Sequence, residues 1–434
     1  MTGTAVPPQG RFAGAVAAAA ARGVLVVQPR MGMPLPADMR AGLAAVRRAR
    51  AATVGTITLD SYTRVGDHAS ARKALAEGSD LNGFPIVAHG AEETRRMIDA
   101  LDDPRFAIQV RHGSPLPLGI VEALADAGLD ATEGGPVSYC LPYSRTPLRD
   151  AVDAWARSCE VLAERVPGAH LESFGGCMLG QMCPPALLVA ISVLEGIFFR
   201  RHGLTSVSLS YAQQTSFPQD REALAAMRRL ASEYLDGVAW HVVLYTYMGV
   251  FPQTEAGAME LLRSSAVLAQ VTGTERLIVK TAAEAFRIPT VADNVYALEE
   301  AAGAARGADP TTVPEADDSG LYEEARTLVE SVLELDPDVG RALLKAFSRG
   351  LLDVPFCLHA DNAGKSRAYV DQGGRLQWLS AGSMPVRAVA PAGAGRLTAD
   401  GFLTMLSHVQ RRFDGPVLER GRGRSGLTSS PSKV

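Results

Sequence analysis

Short apolar runs alternate over most of the chain with longer segments whose apolar residues return at helical spacing. The strand-like runs fall at 24–28, 53–59, 85–88, 106–110, 131–133, 170–174, 206–210, 238–244 and 276–279. Between them, Ala/Leu/Arg/Glu-rich stretches such as 69–77, 92–101, 118–127, 148–165 and 221–235 carry the helical period. This alternation predicts an α/β fold with parallel strands and crossover helices, and its repeat number favours a closed (β/α)₈ barrel of the TIM type over an open sheet. Nine runs are one too many for such a barrel, and the weakest is 131–133, which is followed by glycines.

The pattern changes near 307–320, which is rich in Asp, Pro, Thr and Ala and reads as a linker or exposed loop. The expected organisation is an N-terminal segment 1–22, a barrel 23–306, a smaller C-terminal α+β region 321–414 and a disordered tail 415–434. The chain has 434 residues, 47% of them apolar, ample for a large core. A net charge of −4, with no basic block or basic-aromatic stripe, argues against nucleic acid as the main partner. Its apolar stretches fall short of the ~20 residues that span a bilayer, and the alanine run 17–21 is too short for a signal peptide. A cytoplasmic protein is expected. Five cysteines without CxxC spacing fit reduced thiols rather than a disulfide framework or zinc site.

Chemistry-bearing residues gather at the ends of the predicted strands. Arg30, Arg64 and Arg111 each follow an apolar run, and at the mouth of a barrel three guanidiniums would grip a substrate with more than one carboxylate. Salt bridges are the plainer reading of each one alone. Glu133 is followed by Gly134 and Gly135, which would let backbone approach a ligand, and by Tyr139 and Tyr143, whose hydroxyls both donate and accept. Glu133 would bind or exchange a proton with an amine, or balance the arginines. Lys280 would form a Schiff base or hydrogen-bond a cofactor, unless it simply pairs with Glu284 one helical turn on. His112 would place a carboxylate, act as acid or base, or serve the structure alone.

Several common motifs fail. The stretch 361–366 resembles a phosphate-loop end but has His359 where the first glycine belongs, and the one G-x-G-x-x-G, Gly421 to Gly426, lies in the polar tail. No H-E-x-x-H, G-x-S-x-G or D-x-H-x-x-G occurs.

Taken in order, Gln28-Pro29-Arg30-x-Gly32, Asp60-x-Tyr62-Thr63-Arg64, Leu81-Asn82-Gly83-Phe84-Pro85, Arg111-His112-Gly113, Glu133-Gly134-Gly135-x-x-Ser138-Tyr139-x-x-Pro142-Tyr143 and Val279-Lys280-Thr281-x-x-Glu284-Ala285 closely resemble the large (epsilon) subunit of glutamate mutase, or methylaspartate mutase. The likeness runs from about Val24 into the 380s and includes Asp353-Val354-Pro355-Phe356 and Asn362-Ala363-Gly364-Lys365.

The resemblance implies a (β/α)₈ isomerase that rearranges L-glutamate to (2S,3S)-3-methylaspartate by adenosylcobalamin-dependent radical chemistry. It implies a separate small (sigma) subunit that holds cobalamin through D-x-H-x-x-G, and a heterotetramer built on a dimer of large subunits. By this likeness Arg30, Arg64 and Arg111, with His112, Tyr139 and Tyr143, would bind substrate, and Glu133 would hold its amino group. Lys280 and Glu284 would face the adenosyl group and corrin, and Gly32, Asn82, Pro142, Phe174 and Tyr245 would lie on the cofactor side. No metal ligand is expected in the chain itself.

Two departures stand out. Tyr245 occupies a position where the family usually has histidine, and 175–185 differs in spacing and carries Cys177 and Cys183. A β-substituted or other acidic amino acid is thereby kept open as substrate. The competing readings are a barrel lyase or aldolase using Lys280 as a Schiff-base amine, and a noncatalytic acidic-amino-acid binding protein.

Overall fold

Strands buried on both faces need helices outside and a filled interior, and the chain supplies both. The computed structural model describes residues 10–178, 182–388 and 398–425, with backbone only for 420–425. The strands are β1 (Val26–Gln28), β2 (Gly55–Thr58), β3 (Ile108–Arg111), β4 (Ala131–Gly134), β5 (His170–Ser173), β6 (Ser206–Ala212), β7 (Ala239–Tyr245) and β8 (Arg276–Ile278). They form one parallel sheet in the order β1-β8-β7-β6-β5-β4-β3-β2, and a bridge between Val27 and Thr53 brings β1 back to β2. This is the expected (β/α)₈ architecture.

The surplus run is 85–88, not 131–133. Phe84 alone pairs, with Leu59, and the chain then turns through Pro85 into a short helix, Ile86–His89, ended by Gly90 at φ 80°. Proline lacks the N–H that a strand would use. The segment after Ala131 is a full barrel strand: Ala131, Thr132, Glu133 and Gly134 pair in register with His170, Leu171, Glu172 and Ser173 of β5.

Two features outside the ring support it. The helix Arg11–Ala20 stoppers the N-terminal end of the barrel, where Phe12, Val16 and Ala19 pack on Val26, Val54, Ala107 and Ala131 at the starts of four strands or just before them. Asp130 fixes its start by accepting from Phe12 N at 2.9 Å. On the flank, the helices Leu321–Leu333 and Val339–Arg349 cover the helix Pro185–Arg201. Every residue from Pro185 to Phe199 is buried, which accounts for a helix that is apolar on nearly every side, Ser192 and Glu195 excepted.

Beyond these lie an antiparallel pair, β9 (Arg367–Val370) and β10 (Leu376–Ser380), and the helices Ala399–Leu406 and His408–Ser425. The stretch from Gly415, expected as a tail, continues the last helix to Ser425, and 426–434 lie outside the described residues. No helix among the described residues is long and apolar enough to cross a membrane.

Alternation along each strand sends every second side chain inward, and in this barrel the inward residues are largely polar. Gln28, Thr56, Gln109, Arg111, Glu133, Glu172, Ser208 and Arg276 are all buried. A filled polar interior must satisfy itself, and its hydrogen bonds build the floor of the site.

Candidate active site

The C-terminal mouth opens into a cavity of about 1090 Å³ lined by Arg30, Arg64, Arg111, Glu133, Tyr139, Tyr143 and Glu284, together with Gly32, Asn82, His112 and Phe174. Residues spread from 30 to 284 thus meet because they follow neighbouring strands. Three further expected residues lie off this surface. Pro142 is half-buried beside it, Lys280 is largely buried, and Tyr245 is fully buried beneath the floor.

Each arginine reaches the cavity by a different route. Arg111 is the last residue of β3 and is almost wholly buried. Its Nε donates to Glu133 Oε2 at 2.6 Å, and its guanidinium lies 5.2 Å from the Tyr245 ring centre. Burial works against its charge, but Glu133, Tyr245 and Tyr139 more than offset this and hold its pKa well above the ordinary value. Arg30 lies just beyond β1, with Nη1 2.8 Å from Glu284 Oε2.

Arg64 ends the short helix Ser61–Arg64 rather than a strand. Asp60 caps that helix, accepting from the amides of Tyr62 and Thr63, and Asn82 braces it through Ser61 at 2.7 and 2.9 Å. Arg64 Nε donates to Leu59 O at 2.9 Å, which aims the fork. Among the described residues no carboxylate lies within 4 Å of it, in contrast to Arg30 and Arg111. Burial, reinforced by the charges of Arg111 and Arg30, pulls its pKa down. It is a half-buried cation awaiting an anion.

Glu133 sits opposite, on β4. Besides Arg111, it accepts from the hydroxyls of Tyr139 and, at 2.8 Å, Tyr245. The two glycines after it serve packing rather than ligand approach. A Cβ on Gly134 would strike the Trp155 ring, and one on Gly135 would strike the Glu195 carboxylate. Glu195, from the helix Pro185–Arg201, buckles this loop by accepting from Val137 N, Ser138 N, Ser138 Oγ and Ser173 Oγ at 2.7–3.1 Å. Burial still pushes its carboxyl up to about 7.

His112 Nδ1 accepts from Ser114 N at 3.0 Å, which leaves Nε2 as the protonated nitrogen, buried and facing the Glu133 backbone carbonyl. Burial, then Arg64 and Arg111, push its pKa down to about 3, so the ring is a neutral donor at pH 7. It stacks on Trp155 and meets Tyr139 edge-on, at centroid distances of 5.8 and 5.2 Å. Phe174 and Tyr143 extend the aromatic wall.

Lys280 follows β8, and its Nζ lies 4.2 Å from the Phe251 ring centre and 3.8 Å from Glu284 Oε2. Burial, partly countered by Glu284, brings its pKa down to about 8. Glu284 also closes a capping box with Thr281, its Oε1 accepting from Thr281 N at 3.2 Å. The helix-start pairing is therefore what the geometry contains, and the amine points to that pair rather than to the floor.

The polar layer beneath the floor escaped the sequence reading. Arg276, with no exposed surface, pairs with Glu172 and donates to Gln28 at 2.6 Å, while Gln109 donates to Glu172 at 3.1 Å. The available signal was a charged residue inside a strand buried on both faces, where only a partner makes it tolerable. Among the described residues no cluster could hold a metal ion.

Comparison with known proteins fits this geometry. The chain is similar to glutamate mutase epsilon subunits from Halobacterium salinarum (32% identity, covering 87% of this chain and 81% of that one), Haloarcula marismortui (33%, 81% and 74%) and Escherichia coli O157:H7 (30%, 88% and 82%). Residues 6–394 match the family model described as methylaspartate mutase E chain, and the chain belongs to that family.

Proposed function

We propose that this chain is the substrate-holding subunit of an adenosylcobalamin-dependent glutamate mutase, rearranging L-glutamate to (2S,3S)-3-methylaspartate with a separate cobalamin-carrying subunit. One observation carries the reading: Arg64 brings an unmatched guanidinium into a cavity that also holds Arg30, Arg111 and a single floor carboxylate, Glu133. A dicarboxylic amino acid offers the complementary charges. Its carboxylates suit the guanidinium forks, and its ammonium suits Glu133.

Arg64 binds one carboxylate directly, with the neutral His112 ring beside it in the wall. Arg111 is already committed to Glu133 through Nε and reaches the Tyr245 hydroxyl through Nη2, and the N–H groups left over would serve the substrate's other carboxylate. Holding both ends keeps the carbon skeleton aligned while one bond breaks and another forms. Tyr139 and Phe174, both buried, and the more exposed Tyr143 wall the pocket.

The cavity also fits a second, larger group. Pockets for drug-sized ligands measure roughly 300–1,000 Å³, and about 1090 Å³ far exceeds the need of one amino acid. Glu284, braced from behind by Lys280, would with Gly32, Asn82 and Phe174 hold an adenosyl group in the outer part. Bound there, adenosylcobalamin would supply the radical that exchanges a hydrogen on one substrate carbon with the glycyl group on its neighbour. A small protein carrying D-x-H-x-x-G would bring it, and the implied assembly is a heterotetramer around a large-subunit dimer.

The test is reconstitution. The chain mixed with such a protein and adenosylcobalamin should convert L-glutamate, and the chain alone should not. A pair that binds cobalamin and leaves glutamate unchanged overturns the proposal.

A further inference from the structure

Two buried ion pairs meet at one tyrosine. Glu133 of β4 pairs with Arg111 of β3, and Glu172 of β5 pairs with Arg276 of β8. The Tyr245 hydroxyl, at the end of β7, contacts both carboxylates: Oε2 of Glu133 at 2.8 Å and Oε1 of Glu172. It also accepts from Arg111 Nη2 at 3.4 Å. The three residues have at most 1% of their surface exposed.

A phenol has one hydrogen. Pointed at Glu172, it leaves its lone pairs facing Glu133, and pointed at Glu133, it leaves them facing Glu172. Each carboxylate is thus stabilised at the other's expense, and the one without the hydrogen binds a proton more readily. The other neighbours are fixed donors. Tyr139 serves Glu133 from the following loop, and Gln109 and Ser208 serve Glu172 from β3 and β6. Cys177, in the turn after β5, is a buried neutral thiol beside Tyr245. The other charges in the cavity wall are Arg30, Arg64, Arg145, Arg287 and Glu284, and His112 there is neutral.

We propose that Tyr245, backed by Glu172 and Arg276, is a positioning residue that divides its single hydroxyl hydrogen between Glu133 and Glu172 and so tunes the charge Glu133 presents to the cavity. Tyr245 stays beneath the floor and touches no ligand. Its use in holding a substrate ammonium rests on the function proposed above, whereas the tuning holds whatever the cavity binds.

The two partners act with opposite sign, which separates tuning from mere support. Tyr245→Phe removes a donor from both carboxylates, so Glu133 takes up its proton at higher pH. Glu172→Gln removes a like charge and frees the Tyr245 hydrogen for Glu133, so the proton is taken up at lower pH. Each shift should be roughly tenfold in proton concentration, the scale of one charge-assisted hydrogen bond.

The experiment is an infrared pH titration of the full chain without ligand, with the Glu133 band assigned by its shift in Glu133→Asp. Midpoints that rise in Tyr245→Phe and fall in Glu172→Gln are expected. Midpoints that stay fixed, or move together, overturn the proposal. Should Glu172→Gln not fold, Tyr245→Phe decides alone: a rise supports, and no change or a fall refutes. Calorimetry with L-glutamate on the same samples separates the two ideas. Opposite midpoint shifts without glutamate binding keep the role of Tyr245 and sink the substrate assignment, and binding with fixed midpoints does the reverse.

Discussion

Replacing Arg64 by methionine should weaken substrate binding and stabilise the free protein at once. The guanidinium is fixed by one backbone acceptor and has no carboxylate within ion-pair distance among the described residues. Its charge therefore repays little of its desolvation before an anion arrives. A lost charge-assisted contact costs about 1.5–3 kcal/mol, or roughly a ten- to 150-fold rise in Kd or KM for L-glutamate. Removing the unpaired charge gains on the order of 1 kcal/mol. With an unfolding entropy of about 2.1 cal/mol/K per residue, a chain of 434 residues gains only about 1 °C in Tm for that amount. Calorimetric titration and differential scanning calorimetry on wild type and Arg64→Met read both numbers. A lower Tm with unchanged glutamate affinity would make Arg64 a structural residue and refute the reasoning.

Buried titratable groups give predictions of opposite sign. Glu195 is raised to about 7 when folded, so its contribution is complete below the ordinary glutamate value and is lost as pH rises through 7. Glu195→Gln should become more stable relative to wild type by about 1.4 kcal/mol per pH unit between roughly 4.5 and 7. His112 is lowered to about 3, so its contribution is present above the ordinary histidine value and is lost as pH falls. His112→Gln should gain on wild type by a similar amount per unit on acidification from roughly 6.5, and urea unfolding at four pH values checks both. Phe12→Ala empties the stopper, whose ring sits 5.2 Å from the His170 ring and 5.0 Å from the Arg276 guanidinium. It should cost about 3–5 kcal/mol, a Tm drop of roughly the same number of degrees, and an unchanged Tm would contradict the stopper role. Lys280 should resist borohydride trapping with α-keto acids because its amine faces Glu284 and Phe251, and a Lys280 adduct by mass spectrometry would revive the Schiff-base reading.

The barrel was legible because two periods alternate so regularly, and the mouth residues because each lies just past an apolar run. The misreadings have local causes. Ile86 and Val87 are as apolar and β-branched as any strand, and only the proline before them signals the turn. The short run at Ala131 looked weak because glycines follow it. Those glycines answer to Trp155 and Glu195, side chains from later helices that no window around Gly134 contains. The partner of Arg30 is equally remote, since Glu284 follows it by 254 positions. Glu172 and Arg276 were readable in principle: each shares inward parity with buried polar neighbours.

The central claim, that this chain holds L-glutamate while its carbon skeleton is rearranged, is tested most directly with L-[3-¹³C]glutamate. The reconstituted pair with adenosylcobalamin is followed by ¹³C NMR. Migration of the glycyl group from C3 to C4 turns the labelled carbon into a methyl branch, so the label should appear as the methyl signal of 3-methylaspartate. That signal should be absent when either protein is omitted. Label that stays in a methylene, or glutamate consumed without a labelled methyl group, would contradict the account.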